Sequence, residues 1–311
     1  MRYGNGESEC EAGVSGVLTA QVAVGTRARL GEGPTWDSAR GLLIWVDILN
    51  SRVHTFDPAD GARTVMATEQ HVGAAKPRAG GGLVVNLRDG VGLYGADGAF
   101  SWLHREVVPG RRGNDAAVAP DGALWAGTMR YDARTGGGDL KRVTGDGTAV
   151  TVLPEVTVSN GTGWSPDGRL MYYNDTPTRR IDVFDVAGAD DAHNADGQSR
   201  PGSVSGRRPL VETEERAGYP DGLTVDADGC VWVALWDGGA VRRYTPDGRL
   251  DRTVPVPVPR PTACAFGGAD LRDLYVTTAS VGTDTAAHPL AGAVLVLPGA
   301  GQGLPQPAFA G

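Results

Sequence analysis

The chain has 311 residues, with 47 Gly, 20 Pro, three Cys and a formal net charge of -8. That acidic balance, with no basic cluster beyond short pairs, disfavours nucleic acid and anionic membrane as partners and leaves a small molecule as the expected one. The Gly and Pro content and the lack of a sustained 3.6-residue apolar period make helix a minority prospect.

Met1 to Gly16 has no apolar signal core, and no 18-residue apolar span occurs anywhere, so the chain reads as a soluble cytoplasmic protein. Cys10, Cys230 and Cys264 lack metal-ligand spacing and read as reduced, structural thiols. Residues 1–15 are expected to be a flexible N-terminus and 16–311 a single domain, as a monomer or weak homodimer. Val17 to Val24 reads as a strand ahead of the first repeat, suited to pair with Ala293 to Leu297 near the end and so close a ring.

Between these ends a turn followed by a β-rich run recurs six times, reaching a large or branched residue at Trp45, Val85, Trp125, Tyr173, Trp232 and Tyr275. The landmarks are 40, 40, 48, 59 and 43 residues apart. Four short strands fill about 40 to 50 residues in a propeller blade, so the predicted fold is all-β, a six-bladed β-propeller. The long gap contains residues 187–209, a polar Gly/Ser-rich stretch that reads as a surface insertion.

In a propeller the first strand of every blade lines the central channel, so residues of equal phase converge there. Eleven or thirteen residues before four of the landmarks stand Glu32, Asn114, Asn160 and Asp221. In the other two blades the phase falls on Val72 or Ala74 and on Thr262 or Cys264. Two carboxylates and two amides without thiolate or imidazole form a hard-oxygen set suited to Ca²⁺, Mg²⁺ or Mn²⁺. An isolated Asp-Gly or Asn-Gly pair is ordinary turn chemistry. Four in one phase are expected to make a central metal site. The five histidines are scattered away from that phase and receive no catalytic role.

Several stretches carry a resemblance: Leu30-Gly31-Glu32-Gly33-Pro34, Arg112-Gly113-Asn114-Asp115, Ala126-Gly127-Thr128-Met129, Ser159-Asn160-Gly161 and Tyr219-Pro220-Asp221-Gly222-Leu223. In this order they resemble the family that includes gluconolactonases, regucalcin and the luciferin-regenerating enzymes, from about Ala20 to the end. The resemblance implies that Glu32, Asn160 and Asp221 bind one divalent metal, Ca²⁺ first and Mg²⁺, Mn²⁺ or Zn²⁺ otherwise. It further implies that Arg112 and Asn114 contact substrate or complete the metal's surroundings, that Asp221 orients or deprotonates water, and that the reaction is hydrolysis of a sugar-acid lactone. Asp132 is expected to bind substrate hydroxyls, one methylene shorter than the glutamate many sugar lactonases carry nearby, with Tyr131 beside it. Asn86 and Thr162 also depart from the family pattern. The alternatives are a specialised ring-opening or isomerising step, ester or phosphotriester hydrolysis, and a calcium-binding propeller without turnover.

Overall fold

In the computed structural model, which describes residues 18–187 and 202–311, six four-stranded antiparallel sheets form the blades of a propeller. No α-helix occurs among the described residues. Blades 1 to 5 run outward from inner strands Gly31–Asp37, Val72–Pro77, Arg111–Val118, Ser159–Trp164 and Tyr219–Val225. Blade 6 starts at Pro261–Gly267 and ends with strand Val294–Leu297 pairing the N-terminal strand Gln21–Val24. That pairing between the two ends closes the ring, with Gln21–Val24 as the outer strand of blade 6.

The recurring landmarks lie on the second strand of each blade, and Trp45, Val85, Trp125, Tyr173, Trp232 and Tyr275 are all buried. Around them six apolar clusters form, each drawing mainly on two adjacent blades. Trp36, Trp45 and Tyr275 join blades 1 and 6, while Trp125, Met171 and Tyr173 join blades 3 and 4. Burial of aromatic and branched side chains between blades is therefore the cohesive force around the ring.

Residues 1–15 and most of the 187–209 insertion lie outside the described residues. The part that is described differs from a loop: Val204–Glu212 is the outer strand of blade 4, paired with Arg180–Val186. Its polar composition suits an exposed edge, where Arg207 pairs with Asp182 and Arg208 with Asp185.

After blade 6 the chain crosses the ring. The Ala227 amide donates to the Gln302 carbonyl and the Gly303 amide to the Leu271 carbonyl, fixing one end at blades 5 and 6. At the other end the Phe309 amide donates to the Pro77 carbonyl and the Ala310 amide to the Gly122 carbonyl, on blades 2 and 3. Phe309 is fully buried there. Between the anchors, Leu304 to Pro307 forms a strap across the channel at the end where the inner strands finish.

Candidate metal and substrate site

Each of the six inner strands breaks register with its neighbour near its start. The shifts fall between Glu32 and Thr35, Val72 and Ala74, Gly113 and Ala116, Ser159 and Thr162, Pro220 and Leu223, and Pro261 and Ala263. A bulge re-aims the side chain it carries. Asn114, Asn160 and Asp221 sit inside such shifts, and Glu32 flanks one. Blades 2 and 6 place Gly73 and Thr262 there, residues without a charge to offer the channel.

Glu32, Asn114, Asn160, Asp221 and Arg112 are each 3 to 6% exposed. A chain of hydrogen bonds orders three of them. Arg112 Nη1 donates to Asn114 Oδ1 at 2.7 Å, Asn114 Nδ2 to Asn160 Oδ1 at 3.0 Å, and Asn160 Nδ2 to Thr176 Oγ1 at 2.8 Å. Because its Nδ2 is held by Thr176, Asn160 keeps its oxygen toward the cluster. Glu32 Oε2 accepts the Gly33 amide at 3.1 Å, while Asp221 Oδ1 is buried with no hydrogen-bond partner.

Burial, and then the charge of Asp115, push the Glu32 carboxyl up to about 8. Burial and then the Glu32 charge hold Asp221 well above the usual carboxylate range, opposed by Arg112. Asp115 is raised by burial too. Three carboxylates thus crowd the channel, and the cations that act on Glu32 there are Arg112 and Lys76. A buried, unpartnered carboxylate oxygen beside a second carboxylate and an oriented amide oxygen fits a hard divalent cation, which would satisfy the orphan oxygen and offset the repulsion. Among the described residues no group of three or more His, Cys, Asp or Glu is placed to hold a metal. The candidate set has two carboxylates and completes itself with an amide.

Asp132 does not join this cluster. Its carboxylate is exposed and turned to Arg130, with Nε to Oδ1 at 3.0 Å. The turn after Met129 delivers Tyr131 instead: its ring lies 5.9 Å from the Arg112 guanidinium carbon and its hydroxyl 2.7 Å from His71 Nδ1. Burial and then the nearby Arg112 lower the pKa of His71, which favours its neutral, hydrogen-bonding form. Neither His71 nor Tyr131 shares the ligand phase, so spacing alone does not select them.

Asn86, which departs from the family pattern, and Asn174, which the sequence reading leaves unassigned, both support the site from behind. Asn86 Nδ2 donates to the Asn114 carbonyl at 3.1 Å and to the Gly127 carbonyl at 2.8 Å. Asn174 Nδ2 donates to the Asp221 carbonyl at 2.6 Å. Each stands one residue after a landmark, in LVVNL and LMYYND, and braces the backbone of a site residue in the next blade. A lone amide inside an apolar strand was the available signal.

The family described as SMP-30/Gluconolactonase/LRE-like region matches residues 30–280. A 6-deoxy-6-sulfogluconolactonase of Pseudomonas putida is 36% identical over 290 residues, 91% of this chain and 95% of that one. The pentonolactonase XacC of Haloferax volcanii is 38% identical over 263 residues, covering 84% and 86% of the two chains. Among solved structures, a calcium-binding protein, regucalcin, from Agrobacterium tumefaciens superposes with a TM-score of 0.87 at 30% identity, covering 94% of this chain and 97% of that one.

Proposed function

The chain belongs to the SMP-30/gluconolactonase/LRE-like family, and from that premise we propose that it hydrolyses a lactone of a sugar acid with one divalent cation held by Glu32, Asn160 and Asp221. The observation that carries this reading is the orphan Asp221 Oδ1, buried beside Glu32 in a channel with more carboxylates than cations. The relatives' names support the lactone class, and regucalcin's supports Ca²⁺ as the first cation to try.

A cation bound there supplies Lewis-acid polarisation of the ester carbonyl and charge for the oxygen that becomes anionic. Asp221 contributes a carboxylate oxygen to orient water and take its proton. Water adds to the carbonyl carbon, the acyl carbon to ring oxygen bond breaks, and the ring oxygen leaves with a proton as a hydroxyl. The new acid then ionises, so one proton is released per turnover. Arg112, anchored through Nη1 to Asn114, turns its remaining donors to hydroxyl or carbonyl oxygens of the substrate. Tyr131 and His71 form a wall beside Arg112 and narrow what the mouth admits.

Proton release from a panel of sugar-acid lactones, by metal-stripped protein with Ca²⁺, Mg²⁺, Mn²⁺ or Zn²⁺ restored, tests the reading beside Asp221→Asn. Turnover restored by metal and lost in the variant supports it. Tight metal binding without turnover on any lactone would replace it with a specialised ring-opening reaction or a calcium-binding propeller.

A further inference from the structure

At the end of the channel away from the carboxylate mouth lies a chamber of about 410 Å³, under the strap Leu304 to Pro307. That volume is within the range that holds a small organic ligand. Its walls are largely apolar, with Pro34, Val118, Trp164, Leu223 and Leu304 among them. Lys76 and Asp115 also face it.

Lys76 is an unusual wall residue, only 7% exposed. Its Nζ donates to Thr35 Oγ1 at 2.6 Å and to the Gly33 carbonyl at 3.4 Å, both neutral acceptors. Among the described residues no carboxylate lies within ion-pair distance of it, although Asp115 and then Glu32 attract it from farther off. A buried ammonium without a direct ionic partner is costly, and it retains a third proton to donate. Asp115 has one oxygen on the Ala116 amide at 2.8 Å, which leaves the other to accept. The chamber therefore offers a donor and an acceptor of opposite charge, unbridged, beside apolar walls.

We propose that this chamber is a second small-molecule site, distinct from the mouth, for a neutral molecule with an apolar body and an amide or hydroxyl head that accepts from Lys76 and donates to Asp115. The opposite charges of the pair give no net attraction for an anion, so an uncharged head fits where a carboxylate would face Asp115. The strap is the roof, and its two prolines lack amide protons, which keeps it out of any strand pairing that would seal the opening.

Phenylacetamide is the probe, with phenylacetate as its charged counterpart, titrated into the full-length protein by calorimetry and ligand-observed NMR with and without Ca²⁺. The amide is expected to bind, at least about tenfold tighter than the acid. Lys76→Met and Leu304→Trp should each weaken it about tenfold or more. Leu304→Trp keeps the test open if Lys76→Met does not fold. No binding to the wild-type protein, binding indifferent to both chamber variants, or tighter binding of phenylacetate would overturn the proposal. Neither probe is a lactone, so this result stands apart from the outcome at the mouth.

Discussion

Burial raises the proton affinity of both Glu32 and Asp221, with the charge of Asp115 adding to it at Glu32 and the charge of Glu32 adding to it at Asp221. For Glu32 the folded value, about 8, lies above the unfolded carboxylate value, so without metal the folded chain binds the extra proton between them. The stability it contributes is complete below pH about 4.5 and is lost as pH rises through about 8. A divalent cation uses the ionised oxygens, so its stabilising increment should grow over the same range. Thermal melts in chelator and in Ca²⁺ from pH 5 to 9 check this, and an increment independent of pH would sink it. Asp221→Asn removes one of the repelling charges. It is expected to raise the metal-free melting temperature at pH 8 while lowering lactone turnover on the order of 10²-fold or more. A variant with wild-type turnover would displace Asp221 from the site. At Tyr131 the expected change is of another kind: Tyr131→Ala opens the wall beside Arg112, raising KM several-fold with kcat nearly unchanged. An equal loss in kcat would instead give the ring a role in the transition state.

At the scale of the strand, the bulge near the start of each inner strand decides what the channel receives. Gly73 occupies that place in blade 2, and a Cβ there would overlap the backbone of Asn114, its nearest neighbour in blade 3. The overlap is with main chain, which cannot rotate aside. Gly73→Ala is therefore expected to destabilise the fold by about 1 to 3 kcal/mol and to shift Asn114, with lower kcat/KM and a lower melting temperature together. Stability lost with full activity would separate the bulge from the site. The same geometry explains what the chain made legible. Landmarks on the second strands are large, buried and regularly spaced, so period and blade number could be read from them. The four oxygen donors could be read because bulges repeat in phase. Asn86 and Asn174 follow the landmarks, on strands where polar residues are not expected to reach the channel, and they act through a neighbour's backbone. Asp132 and Tyr131 differ by one position, and only the path of the turn determines which faces Arg112. The outer strand Val204–Glu212 is polar because arginine and aspartate pairs hold it, and composition alone makes such an edge look like a loop.

Across the whole molecule the ring is tied in two ways. Strand pairing between Gln21–Val24 and Val294–Leu297 closes blade 6, and the C-terminal strap reaches across the channel end to blades 2 and 3. Phe309 anchors that strap among Ala74, Val84, Val118 and Leu124, with no exposed surface. Phe309→Ala should destabilise by about 3 to 5 kcal/mol, because the apolar contact is lost and a cavity remains between two blades. In a chain of this length that corresponds to a fall in melting temperature of roughly 5 to 8 °C. The mouth lies at the opposite end of the inner strands, where Asn86 and Asn174 brace the site residues without help from the strap. Metal affinity at the mouth should then change less than about threefold in Phe309→Ala below its melting range, an energy under 1 kcal/mol. Phenylacetamide binding in the chamber, whose roof loses its anchor, should weaken. Calorimetric titration of Ca²⁺ and of phenylacetamide into the same variant separates the two ends of the channel. Parallel losses at both would mean that the strap holds the whole inner ring in register, and that the mouth and chamber are one coupled unit.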